Sequence, residues 1–249
     1  QYIRALTKLT IRAPKRVCHR APSRARLQRN PIAGEYFPLP DKVPIIRIIQ
    51  YKIPLRDRTK SKGHTTMNRT QLKVFFNFRS PYCYLVSRSL FERLRAYDIE
   101  VEWRSLGGWD GRSAPERAKV KVPLTRQDVA RWCKRLGIPF APPPITTDPT
   151  PAGLVSFAAE DAGKLEDYVV TVMWAEWAEG QDIGRVEVLE KVAGAIGLDT
   201  TRLKSAIDSR DYQRRLKDNW AEALSLGVIG VPSFVVGDQI FWGNDRVDF

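Results

Sequence analysis

The chain has 249 residues, 43% of them hydrophobic, and a formal net charge of +13. That length and apolar content allow one large folded domain or two small ones. The excess charge is confined to residues 1–66, which hold 16 of the 41 basic residues and only 3 of the 28 acidic ones. Residues 67–249 are electrically balanced, so no nucleic-acid-binding surface is expected on that part of the chain.

The positions of the histidines and cysteines limit which catalytic and metal sites the chain can form. Both histidines, His19 and His64, lie in the basic segment, so residues 67–249 cannot form a Ser-His-Asp system, a Cys-His pair or an imidazole zinc site. No metal site is expected. The cysteines at positions 18, 83 and 133 are odd in number and far apart, unlike the disulfide framework of a secreted domain. A reducing compartment, the cytoplasm, is the expected location.

Residues 1–66 form a basic, proline-rich extension that can bury little apolar surface, so disorder is expected there. Residues 2–12 place apolar and basic side chains on different helical faces, which resembles a targeting presequence and would imply a mitochondrial protein. Alternatively, the segment is unrelated to the folded domain, 67–249, and Met67 is the start. The most apolar run, 43–49, is short and interrupted by Arg47, so no membrane span is expected.

From residue 71 the pattern predicts a strand–helix–strand unit, the unit that builds parallel sheets. In chain order we predict a strand over 71–78, a helix over 82–97, a strand over 99–103, a loop over 107–123 and a helix over 126–136. Four prolines between positions 139 and 144 then predict an extended crossing.

A helical block and a hairpin complete the chain. The predicted helical segments are 152–179, 186–196, 200–209 and 211–225. An apolar stripe runs along 186–196, and Gly197 predicts the end of that helix. Strands over 232–236 and 239–242 flank Gly237-Asp238, which suits a tight antiparallel turn. The predicted class is α/β, with a helical insertion at about 107–226.

Ser80 is the first candidate functional residue. It precedes Pro81 at the start of the first helix, where proline is tolerated and where unpaired N–H groups and the helix dipole favour negative charge. The alternative is that Ser80 only caps the helix, a contribution of about 1 kcal/mol. These residues alone leave both readings open.

Cys83 also has two readings. A thiol in the first helical turn can have a lowered pKa and act in redox chemistry, or it can be a small buried filler. The segment Ser80-Pro81-Tyr82-Cys83 resembles the Cys-x-x-Cys junction of thioredoxin-like proteins with serine in the first position. No intramolecular disulfide can form across that junction.

Three groups of segments together resemble one family. They resemble the 2-hydroxychromene-2-carboxylate isomerases and the kappa-class glutathione transferases, which belong to the DsbA-like thioredoxin superfamily. The segments are residues 76–82, residues 103–108, and residues 227–234 with 241–246. The resemblance covers about 71–249. It implies a thioredoxin-like fold with a large all-helical insertion between the strand–helix–strand half and the C-terminal β-hairpin half.

The resemblance also implies a thiol cofactor, glutathione or another low-molecular-weight thiol. The implied binding residues are Ser80, Pro81, Tyr82, Val231, Pro232, Asn244 and Asp245. The hydroxyl of Ser80 would hydrogen-bond the sulfur, and Val231, before a cis Pro232, would pair its backbone with the cysteinyl part. Asn244 and Asp245 would receive the γ-glutamyl end.

The implied reaction is isomerisation of a conjugated acid of the aromatic-degradation type, in which the bound thiolate adds, permits bond rotation and leaves. A small-molecule substrate and the thiol are the expected partners, and a homodimer is an option. The alternatives are a kappa-type transferase, a thiol–disulfide oxidoreductase acting through Cys83, and a non-enzymatic thioredoxin-like module. The chain departs from the family where Cys83 replaces a serine and where 109–115 lacks an asparagine.

Overall fold

The computed structural model describes residues 69–108 and 113–249. The predictions for residues 1–66 lie outside the described residues. In chain order the elements are β1 (Thr70–Phe76), α1 (Pro81–Leu94), β2 (Ile99–Ser105), α2 (Pro115–Leu136), α3 (Thr150–Asp161), α4 (Leu165–Trp177), α5 (Val186–Ile196), α6 (Thr200–Asp208), α7 (Arg210–Leu226), β3 (Ser233–Val236) and β4 (Gln239–Trp242).

The four strands form one sheet in the order β2-β1-β3-β4. β1 and β2 are parallel, with Val74 opposite Trp103, and α1 makes the crossover that parallel neighbours require. β3 pairs with β1 in the antiparallel direction, with Val74 opposite Phe234, and β4 pairs with β3 through the Gly237-Asp238 turn. The six helices that follow β2 separate this unit from the hairpin, which confirms the α/β fold with a helical insertion.

β1 is buried on both faces of the sheet, which is typical of a central strand. On one face Phe76 contacts the rings of Phe78 and Trp103, with centroids 5.5 and 4.9 Å away. On the other face Phe75 packs with Val235 at the centre of a smaller cluster that also includes α7. The end of β1 is therefore packed on both faces, and this packing supports the turn that follows it.

The predicted loop over 107–123 is wrong in its second half. α2 begins at Pro115 and continues through Pro123. An internal proline normally interrupts a helix because it lacks the N–H and crowds the preceding turn. Pro123 lies on an exposed part of α2, so solvent can hydrate the carbonyl group that proline leaves without a donor.

Other boundaries also differ from the prediction, and two of these differences have a local cause. The block 152–179 is two helices, because Gly163 adopts a φ of +66° and ends α3 with a left-handed residue. β1 ends at Phe76 instead of Phe78, because Asn77 begins a turn. By contrast, α5 has the predicted bounds, its stripe is buried, and Gly197 ends it at a φ of +65°. No helix in the described ranges is long and apolar enough to cross a membrane.

We expect Phe76→Ala to lower the free energy of unfolding by about 3–5 kcal/mol, because Phe76 is fully buried between two aromatic rings. Chemical denaturation measures the change. Leu224→Ala, at a side chain that is 73% exposed, is the control and should change the value by about 0.5 kcal/mol or less. Equal losses in the two variants would contradict the assigned core.

Candidate active site around Ser80

Ser80 is the N-cap of α1, and Asn77 shapes the turn that leads to it. The side-chain Oδ1 of Asn77 accepts the amide N–H of Arg79 at 2.8 Å, and its carbonyl oxygen accepts that of Ser80 at 3.0 Å. Ser80 Oγ accepts the amide N–H of Cys83 at 3.4 Å, and Pro81 occupies the first turn. Ser80 does cap the helix, and its hydroxyl therefore lies at the positive end of the helix dipole.

Ser80 also contacts the segment that precedes β3. Its hydroxyl donates a hydrogen bond of 3.2 Å to the carbonyl oxygen of Val231, 151 positions further along the chain. The Val231–Pro232 peptide bond is cis. Ser80 and Val231 are both partly exposed.

The turn after β4 reaches the same region through Pro232, whose carbonyl accepts the amide N–H of Gly243 at 3.0 Å. Gly243 has a φ of +128°, and a Cβ atom there would lie 2.8 Å from Asp245 Oδ1, so this turn requires glycine. Asn244 is partly buried and Asp245 is exposed. Val231–Pro232 is thus connected to Ser80 on one side and to Asn244-Asp245 on the other.

A groove of about 580 Å³ lies between the start of α1 and α2. Its lining residues are Tyr82, Arg117, Val120, Lys121, Leu124, Thr125 and Asp128. The hydroxyl of Tyr82 donates to Asp128 Oδ2 at 2.8 Å. Burial, followed by this carboxylate, raises the pKa of Tyr82 to about 12, so the phenol keeps its proton at neutral pH.

Sequence reasoning missed the α2 side of this groove because it assigned most of that segment to a loop. The lining positions 117, 120, 121, 124, 125 and 128 recur three and four residues apart, which is the spacing of one helical face. That periodicity continues across Pro123 and was the available signal. It places two cations and two exposed aliphatic side chains, those of Val120 and Leu124, on a single surface.

Cys83 is fully buried, and burial raises the pKa of its thiol to about 12 despite the opposing hydrogen bonds of Asn77 and Ser80. This speaks against the redox alternative, which needs a lowered pKa, because desolvation outweighs the two hydrogen bonds. Cys133 is also buried, with its pKa raised to about 11. Both thiols have the character of packing groups.

A second interior feature, not predicted from the sequence, joins Arg79 to Glu176 of α4. Glu176 has no exposed surface, and its Oε1 lies 4.0 Å from Arg79 Nη1. Both carboxyl oxygens and Arg79 Nε are buried without a hydrogen-bond partner. Burial raises the pKa of Glu176 well above its usual range, and the attraction of Arg79 does not reverse this. Glu176 is therefore held toward its protonated form in the folded protein.

Comparison with known proteins identifies the family. A sequence model of the DSBA-like thioredoxin domain matches residues 71–249, almost the whole of the described chain. The chain belongs to this family. The resemblance recognised in the sequence is confirmed at the level of family and fold.

The relatives of this DSBA-like domain include isomerases. A 2-hydroxychromene-2-carboxylate isomerase of Sphingobium xenophagum is 29% identical over 187 residues, which cover 72% of this chain and 94% of the relative. A solved structure of a 2-hydroxychromene-2-carboxylate isomerase is similar with a TM-score of 0.61 at 23% identity, over 72% of this chain and 91% of that one. The cytosolic disulfide reductase DsbM from Pseudomonas aeruginosa, solved with GSH, has a TM-score of 0.53 at 19% identity, over 69% and 88%.

We expect the stability of this DSBA-like domain to fall as the pH rises above the ordinary carboxyl pKa of about 4.5, until Glu176 ionises in the folded state. In that range the folded protein holds a proton that the unfolded chain has released, so stability falls by up to about 1.4 kcal/mol per pH unit. Glu176→Gln cannot ionise and should lack this loss.

Denaturation midpoints measured at a series of pH values test this. Glu179→Gln is the matched control, because Glu179 is an exposed glutamate just after the same helix. This control should retain the wild-type slope. Identical slopes for the wild type and Glu176→Gln would show that Glu176 is ionised in the folded protein.

Proposed function

We propose that this protein is an isomerase that binds glutathione, or another low-molecular-weight thiol, at Ser80 as a cofactor. The observation that carries the proposal is the Ser80 hydroxyl, which lies at the N-terminus of α1 and hydrogen-bonds Val231 beside Pro232. The hydroxyl can donate to a thiolate sulfur instead, and the helix N-terminus adds partial positive charge. A bound thiolate then serves as the nucleophile, because residues 67–249 hold no histidine to activate a serine.

The other cofactor contacts follow from the connections of Val231–Pro232. The backbone at Val231 is open to pairing with the cysteinyl part of the thiol. Asn244 and Asp245 follow the Gly243 amide that binds Pro232, and the carboxylate of Asp245 suits the amino group of a γ-glutamyl end. The neighbouring fold solved with GSH supports this cofactor class, and the isomerases among the relatives support the type of reaction.

The groove beside Tyr82 suits a small conjugated acid. Arg117 and Lys121 offer positive charge to a carboxylate, while Val120 and Leu124 offer apolar surface to a ring. The thiolate adds to a conjugated carbon–carbon double bond and turns it into a single bond, which can rotate. The same carbon–sulfur bond then breaks, so the thiol is regenerated and nothing is oxidised or reduced.

The alternatives find less support in the geometry. An oxidoreductase acting through Cys83 would need an accessible thiolate, whereas Cys83 is buried and its pKa is raised to about 12. A kappa-type transferase would use the same Ser80 site but consume the thiol. Measuring total glutathione during turnover separates these two uses of the site.

We expect Ser80→Ala to weaken glutathione binding and turnover of 2-hydroxychromene-2-carboxylate about 10- to 100-fold, because it removes a hydrogen bond to a charged sulfur. Thermal-shift titration and absorbance kinetics measure the two effects. Ser209→Ala is the control: Ser209 caps α7 by accepting the amide of Tyr212 at 3.3 Å. Both variants should lose about 1 kcal/mol of stability, but only Ser80→Ala should lose function. Equal turnover in the two variants would refute the role of Ser80.

We expect Lys121→Gln and Arg117→Gln each to raise the KM for an anionic substrate about tenfold with a smaller effect on kcat, because each removes one charged contact from the groove. Lys119→Gln is the matched control, since Lys119 lies on the same helix but pairs with Glu116 outside the groove. If Lys119→Gln raised the KM as much as Lys121→Gln, the rise would reflect the loss of any positive charge on this helix and not the loss of a contact in the groove.

A further inference from the structure

Arg79 and Glu176 form an interior charged pair next to the turn that carries Ser80, and the proposed function does not use it. Arg79 directly precedes Ser80, while Glu176 comes from the helical insertion. Their closest atoms are 4.0 Å apart, the Arg79 side chain is only 20% exposed, and Glu176 is not exposed at all. Glu176 is therefore screened from solvent, and its partner Arg79 belongs to the same turn as Ser80.

The surroundings of Glu176 favour its neutral form. An ionised carboxylate in a protein interior needs several hydrogen bonds, and neither oxygen of Glu176 has one. One guanidinium at 4.0 Å, beyond hydrogen-bonding distance, does not replace them. The raised pKa of Glu176 agrees with this geometry. With the carboxyl group neutral, the charge of Arg79 has no full counter-charge beside it.

The other charged groups around the pair do not change this conclusion. Arg126 of α2 and Asp182, which follows α4, act on Arg79 with opposite signs. Asp182 also opposes a second negative charge on Glu176. The thiol of Cys83, from α1, is the remaining titratable neighbour and stays protonated. Protonation of Glu176 thus decides whether the positive charge of Arg79 has a full negative charge beside it.

We propose that Arg79 and Glu176 are a proton-controlled charge pair that sets how strongly the Ser80 turn favours a bound thiolate. While Glu176 holds its proton, the pair carries one net positive charge, which adds to the positive helix N-terminus. When the proton leaves, the pair is neutral and its attraction for the thiolate falls. This inference rests on the proposed function, and both side chains act as positioning residues without touching the thiol.

A purely structural role for Arg79 has to be separated from this one. Arg79 Nη2 donates to the carbonyl groups of Pro144 and Ile145 at 3.2 and 3.3 Å, and its guanidinium lies 5.7 Å from the ring centre of Trp177. Arg79→Lys keeps the charge but loses the planar donor group, whereas Arg79→Gln keeps a planar donor but loses the charge. Comparing the two variants separates the effect of the Arg79 charge from the effect of its planar hydrogen-bonding group.

The experiment titrates glutathione bound to the full chain and follows the ultraviolet absorbance of the thiolate and the Kd as functions of pH. Arg79→Lys should keep the wild-type midpoint, and Arg79→Gln should lower the thiolate fraction at neutral pH about tenfold. Glu176→Gln should match the wild type at low pH and retain affinity at alkaline pH, where the wild type loses it. Because Arg79→Gln removes the attraction that lowers the pKa of Glu176, Glu176 stays neutral to higher pH in that background, and Glu176→Gln should have no further effect at neutral pH.

Two results would refute the proposed role of the Arg79–Glu176 pair without refuting the proposed function. The first is an equal shift of the midpoint in Arg79→Lys and Arg79→Gln. The second is an identical pH dependence of Kd in the wild type and Glu176→Gln, a nearly isosteric variant that tests the pair even if the Arg79 variants fail to fold. If the wild type gives no thiolate absorbance with glutathione, cysteine or coenzyme A, the proposed function fails and the pair fails with it.

Discussion

The antiparallel pairing of β1 with β3 is the constraint on which the candidate site depends. Phe75 lies opposite Ser233, so the residues that follow β1 and the residues that precede β3 meet at the same end of the two paired strands. This register brings the Ser80 hydroxyl to the carbonyl of Val231, although the two residues are 151 positions apart. A slip of one residue would exchange the side chains that β3 directs to the two faces of the sheet, so the packing on either side of Phe75 and Phe76 also fixes the geometry of the site.

The same helix start gives two neighbouring positions opposite properties. Ser80 and Cys83 share the first turn of α1 and the same dipole, but Ser80 is partly exposed whereas Cys83 is fully buried. Burial raises the pKa of the Cys83 thiol to about 12, by more than the hydrogen bonds of Asn77 and Ser80 lower it. Under the proposed function, the anionic sulfur is therefore supplied by a ligand at Ser80 and not by the protein's own cysteine.

Much of the fold could be predicted from local sequence signals. The hairpin around Gly237-Asp238 and the stripe of α5 depend on neighbouring residues, and both were predicted correctly; the cap at Ser80 is one of the two readings that the sequence left open. Local rules fail where tertiary context overrides them: α2 continues through Pro123 because that turn is solvated. The burial of Glu176 was not predicted, because acidic residues ordinarily lie on the solvent side of a helix. The contact between Ser80 and Val231 depends on strand register, which local spacing does not contain.

The two halves of the chain make separable contributions to the site. The sheet unit and its hairpin contribute Ser80, Val231–Pro232 and the turn at Gly243, which are the groups suited to hold a thiol. The helical insertion contributes the cationic face of α2 and the buried carboxyl of Glu176. Because these groups lie on different elements, the insertion can change the groove and the charge beside Arg79 without disturbing the strand register that positions Ser80. Under the proposed function, substrate choice can then vary without a change in the groups that would hold the thiol.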